Sequence, residues 1–134
     1  MMRSTMLLRA VAVVALATTG GLACDDGPTR PSSDAIVTFS VADERFRVLL
    51  TTAGQIAAAR AAQSGGRARI PIGRIVTGTQ VNAGWSWHLE DVEFAEVTIE
   101  LCDGRPSDVE RSGPAYGGGR YCPWGASVVA IEDR

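Results

Sequence analysis

Apolar and polar side chains alternate in several short runs, and this period of two limits the possible folds more than any other feature. Val37, Phe39 and Val41 alternate with Thr38 and Ser40, and Phe46, Val48 and Leu50 follow Arg45 and Arg47. Successive side chains on a strand point to opposite faces, so each run predicts a half-buried strand. Ala42-Asp43-Glu44 between them is short enough for a hairpin connection. A strand is expected over 70–76, with Pro71 pointing to a sheet edge because proline cannot donate to a ladder. Another is expected over 85–89, where Trp85, Trp87 and Leu89 alternate with Ser86, His88 and Glu90. The same pattern predicts strands over 97–101, from Val97, Ile99 and Leu101, and over 127–131.

One segment has a different period. Thr52 followed by Gln55 is a capping-box pair, and the Ala-rich stretch from Ile56 to Ala62 has high helix propensity. Gly65-Gly66 predicts its end. Ile56, Ala59 and Gln63 share a side, so the buried stripe is small and suits close packing on a sheet. Ser107 with Glu110 reads as a second capping box opening a short helical turn. About six mostly antiparallel strands with one Ala-rich helix packed on the sheet make a β-dominated α+β fold.

The chain has 134 residues, enough for one ordinary domain. Thirteen basic residues, all Arg, face 15 acidic ones for a net charge of −2, which argues against nucleic acid as a partner. Residues 1–23 have a cationic start at Arg3 and Arg9, an apolar run from Ala10 to Ala17, and small residues before Cys24. That order predicts an export signal, and the run is too short for a spanning helix of ~20 residues. Small residues before a Cys and a polar stretch after it resemble the bacterial lipoprotein signal. The resemblance implies a lipidated Cys24 as mature N-terminus, a tether over 24–34 and a single domain over 35–134. It also implies an extracytoplasmic, membrane-anchored location; the alternative is ordinary signal cleavage that leaves Cys24 free and the protein secreted. Residues 25–34 offer nothing apolar to bury, as a tether requires. Cysteine parity agrees: without Cys24, an exported chain keeps an even pair, Cys102 and Cys122. A bridge between them would close a loop of about 20 residues, worth about 3 kcal/mol.

Few residues offer chemistry. His88 is the only histidine, and with Ser86 and Asp91 it could form a small hydrolase site. No Gly-x-Ser-x-Gly elbow accompanies it, and neighbours along one strand are poorly directed at each other. One His and a paired Cys couple are too few for zinc. The carboxylates Glu90, Asp91, Glu93, Glu96, Glu100 and Asp103 match no calcium-loop spacing, so no metal or cofactor is expected. Trp85 and Trp87 suit the core. Tyr116 and Tyr121 flank Gly117-Gly118-Gly119 and, with Arg120, form the expected exposed contact surface for an extracytoplasmic ligand or protein. These features favour a recognition or interaction module without catalytic activity. The alternatives are the Ser86/His88/Asp91 hydrolase, or an envelope structural or protease-inhibitor protein using loop 112–120.

Longer blocks carry a family resemblance. Asn82-Ala83-Gly84-Trp85-Ser86-Trp87-His88-Leu89, Val92-Glu93-Phe94-Ala95-Glu96, Glu100-Leu101-Cys102-Asp103-Gly104 and Tyr121-Cys122-Pro123-Trp124 resemble successive parts of one small domain. That domain is the N-terminal domain of a calmodulin-binding protein, also found as small exported bacterial proteins. The resemblance spans nearly all of 35–134 and brings no catalytic residues with it. Calmodulin is not expected as a partner: its targets are basic amphipathic helices with large apolar anchors, whereas the Ala-rich helix has Arg60 as its sole charge.

Overall fold

The structure, a computed structural model, describes residues 34–99 and 101–134. The expected signal over 1–23, Cys24, the tether up to residue 33 and Glu100 lie outside the described residues. Six strands among the described residues form two three-stranded antiparallel sheets. The first contains β1 (Ala35–Val41), β2 (Glu44–Leu50) and β6 (Ser127–Asp133) in the order β2-β1-β6. The second contains β3 (Ile70–Thr77), β4 (Trp87–Ala95) and β5 (Arg120–Tyr121) in the order β4-β3-β5. Helices α1 (Ala53–Gln63) and α2 (Pro106–Ser112) complete the α+β fold, and a 3-10 turn at Gly113–Gly118 follows α2.

The first hairpin follows from its alternation. Val37 pairs with Val48 and Phe39 with Phe46, so the apolar sets share one buried face. Val41 pairs with Glu44, which leaves a two-residue loop with both Ala42 and Asp43 at positive φ. Two left-handed residues match the right-handed twist of the flanking strands. At the entry to α1, Thr52 Oγ1 accepts from Gln55 N at 3.2 Å while Gln55 Oε1 accepts from Thr52 N at 3.1 Å. The Gln55 amide also donates to Val92 O at 2.9 Å, so the capping residue ties the helix to β4. Ala59 is the fully buried residue of α1, and its small side chain lets the helix sit close to β6 and β4.

Three local expectations are corrected. Residues 97–99 and 101 form no strand: the β3–β4 ladder ends at Ile70–Ala95, and beyond it lies the loop after α1, which offers no partner. The sixth strand is instead the two-residue β5. Pro71 sits on the central strand of its sheet, not on an edge strand. It is tolerated because β5 pairs with β3 only at Gly73 and Arg74, leaving one flank of β3 without a strand at Pro71. Ser107 and Glu110 do not cap α2 together. Ser107 donates from N and Oγ to the Glu44 carboxylate (2.8 and 2.7 Å), Asp108 accepts from Arg105 N at 2.9 Å, and Glu110 reaches Ser86.

The core is an aromatic cluster shared by both sheets. Phe39 and Phe46 stack with centroids 5.2 Å apart, and Tyr121 sets its ring edge-on to Phe46 and Trp87 at 5.5 and 5.6 Å. Asn82 joins the sheets at their rim. It is fully buried, accepts from Arg47 N of β2 at 2.7 Å, and donates to Trp87 O of β4 at 2.9 Å. One amide thus satisfies a donor and an acceptor that would otherwise be buried unpaired, each costing about 1–3 kcal/mol. Asn82→Ala is therefore expected to lower unfolding stability by about 3 kcal/mol in urea titration, and Asn82→Asp at neutral pH by at least as much, because it buries a carboxylate against Trp87 O.

Candidate functional site

Alternation along β4 is interrupted once. Ile72 pairs with Glu93 but Arg74 pairs with Glu90, so β4 carries one extra residue opposite Gly73. Asp91 takes up this bulge with a φ of 53°. As a result Leu89 and Val92 both point inward while Glu90 and Asp91 both point outward. Gly73 makes room: a Cβ there would lie 3.0 Å from Leu89 Cβ, 3.1 Å from Val92 Cγ2 and 3.2 Å from Glu90 O.

The two outward acids converge on Arg74. Its guanidinium donates to Glu90 Oε2 at 2.6 Å and to Asp91 Oδ2 at 3.1 Å. Asp91 first and Glu90 second hold Arg74 more firmly protonated than usual. Across β5, Arg74 pairs directly with Arg120. Like charges opposite one another destabilise a sheet, and the two carboxylates on Arg74 offset that repulsion. Between the Asp91 bulge and the glycine loop lies an open groove of ≈ 510 Å³. Arg74, Arg120, Asp91 and Glu93 supply its charges, and Ile75, Gly118 and Gly119 the rest of its lining.

The glycine wall is held from behind. Gly117, Gly118 and Gly119 have φ values of 55°, 73° and 91°, a run that other residues adopt only with strain. Gly119 O accepts from Ile75 N at 2.9 Å, which extends the edge of β3 into the loop. Cys102 and Cys122 form a disulfide, and Gly117 lies against Cys102 so closely that a Cβ would meet its Cα at 2.8 Å. Tyr116 donates its hydroxyl to Asp103 O, and Tyr121 donates to Gly104 O at 2.9 Å. Burial, with Asp108 and Asp103 nearby, pushes the Tyr116 hydroxyl up; burial does the same to Tyr121.

The residues proposed for chemistry are not brought together. Ser86 donates from N and Oγ to Glu110 Oε2 at 2.9 and 3.0 Å. His88 is buried, with Nδ1 2.6 Å from Gly78 O and Nε2 3.2 Å from Glu90 Oε1. Asp91 belongs to Arg74. Competing partners are the physical reason: Glu110 holds Ser86 and Arg74 holds Asp91. Of the expected contact surface, Arg120 lines the groove, whereas Tyr121 is fully buried and Tyr116 half-buried. Tyr121 is thus a correction: it continues β5 into the aromatic core, so its ring is spent on packing. Loop 112–120 is mostly the 3-10 turn. Arg74 and Gly73 join the site without a motif of their own; the sequence signal for them is a glycine within a strand and the adjacent polar pair Glu90-Asp91, the marks of a bulge.

The family model of the BP-74 N-terminal domain matches residues 33–134. No curated protein and no solved structure matches the chain.

The Glu90 carboxyl is held below the usual carboxylate range by its hydrogen bond from His88 and then by Arg74. A lowered folded-state pKa adds stability that is present above the ordinary carboxylate pKa and lost as pH falls through the folded value. The difference in Tm between the natural protein and Glu90→Gln is therefore expected to be present at about pH 6 and to vanish well below about pH 4. Because the Glu90 side chain is 41% exposed, the difference is small and shrinks in high salt.

Proposed function

The chain belongs to the BP-74 N-terminal domain family, and on that premise we propose that it is an exported recognition module that binds a small zwitterionic ligand, such as a short peptide with both termini free, without transforming it. In this reading residues 1–23 direct export, a lipidated Cys24 and the tether to residue 34 moor the protein to a membrane, and 35–134 form the binding domain. The disulfide fits an oxidising extracytoplasmic compartment.

The observation that carries the proposal is the Arg74–Arg120 pair on the floor of the groove, set beside Asp91 and Glu93. Guanidinium groups pair with a carboxylate in a fixed fork geometry. Acidic neighbours can accept from an ammonium on the same ligand. A binding role agrees with the engagement of Ser86, His88 and Asp91 in separate bonds, since nucleophile and base need mutual reach. Arg120 is the contact residue, while Tyr116 and Tyr121 position the glycine wall.

A thermal-shift screen of short peptides with free termini is expected to give stabilisation that, above Kd, keeps rising with the logarithm of concentration. Arg120→Ala should weaken the best binder by about tenfold or more, the scale of one charged hydrogen bond. Binding that survives Arg120→Ala, or turnover of an ester or peptide by the natural protein that is lost in His88→Ala, contradicts the proposal.

A further inference from the structure

The run that follows β4 exposes large apolar side chains. Val97, Ile99 and Leu101 are 72%, 96% and 96% exposed, and Trp124 is 51% exposed. Both ends of the run lie beside the Trp124 loop. Glu96 and Trp124 line a common groove with Arg67 and Arg69. Trp124 N donates to Asp103 Oδ1 at 2.8 Å, and Cys122 N donates to Cys102 O at 2.8 Å. The run therefore leaves the Trp124 loop at Glu96 and returns beside it at Cys102. Large exposed apolar side chains gathered in one part of the chain in this way point to an interaction site.

We propose that this patch docks on a lipid bilayer, with Val97, Ile99, Leu101 and Trp124 entering the interface and Arg67 and Arg69 meeting headgroup phosphates. The proposal rests on the reading of Cys24 as a membrane anchor. The tether from Cys24 to Asp34 spans at most about 35 Å when extended. It ends at the start of β1, a strand roughly 23 Å long. The far end of β1 pairs Ser40 with Ser127, three residues after Trp124. The tether is thus longer than the strand that separates its end from the patch, so an anchored Cys24 and the patch can reach one lipid surface. Tryptophan favours the membrane–water boundary, where its amphipathic ring is matched on both sides. Arginines beside it add attraction to an anionic leaflet at short range. Four side chains fall short of the ~800 Å² per partner of a standard protein interface, whereas a surface already tethered nearby needs less contact to stay down. Glu96 lies in the same groove and sets the depth limit, because a carboxylate stays at the aqueous side.

The test uses the full lipoprotein, purified from membranes and reconstituted into phosphatidylethanolamine–phosphatidylglycerol vesicles with and without brominated acyl chains. Trp124 emission is isolated by comparison with Trp124→Phe. The proposal predicts loss of most Trp124 emission in brominated vesicles, a blue shift in ordinary ones, and reversal of both in the double variant Ile99→Asp with Leu101→Asp, while the protein still floats with vesicles. Flotation with unquenched Trp124 overturns docking and leaves the anchor reading standing. Failure to float in both the natural protein and Cys24→Ser overturns docking and the anchor together. A blue shift that is unquenched and fades on dilution assigns the patch to a second copy and overturns the proposal.

Discussion

One extra residue in β4, seated against a strand glycine, organises the second sheet and everything built on it. Strict alternation from Leu89 would put Asp91 in the core and Val92 in solvent. The bulge at Asp91 reverses this, so Leu89 and Val92 both pack inward and Glu90 and Asp91 both face Arg74. Burial of two apolar side chains, relief of an unpaired buried carboxylate and neutralisation of an arginine follow from the same insertion. Gly73 permits it, since the close approach of Leu89, Val92 and Glu90 leaves no room for a side chain there.

The groove is shaped on one side by that bulge and on the other by Gly118 and Gly119 of the glycine run. Glycine runs are costly to order, and here the ordering comes from covalent and hydrogen-bond closure. The Cys102–Cys122 bridge, the Tyr116 and Tyr121 hydroxyls and the backbone bond from Cys122 to Cys102 all connect the segment around 102–104 to the loop that carries the wall. The same segment leads directly into the apolar run at 97–101.

Much of this was legible in the residues because local preference and tertiary context agree. The β1–β2 hairpin, the Thr52–Gln55 cap, the Ala-rich helix and the Cys102–Cys122 pair each follow from a pattern whose physical cause is local or, for the cysteines, arithmetical. What was not legible depends on partners distant in sequence. Val97, Ile99 and Leu101 have the alternation of a strand, but β3 has already ended where they would pair. Ser107 and Glu110 have the spacing of a capping box, yet Glu44 and Ser86 are better placed partners once the chain has folded. Tyr121 sits beside a glycine loop, and only the two-residue strand it joins explains its burial. Arg74 as the centre of the site requires the bulge, whose trace was the break in alternation at Glu90-Asp91.

The register of β3 against β4 is the most direct measure of this account. Nuclear Overhauser contacts between the backbones of the two strands should place Ile72 opposite Glu93 and Arg74 opposite Glu90, with a strong contact between the Asp91 amide and its own Hα, the mark of positive φ. An uninterrupted ladder that places Arg74 opposite Asp91, with an extended Asp91, would contradict it.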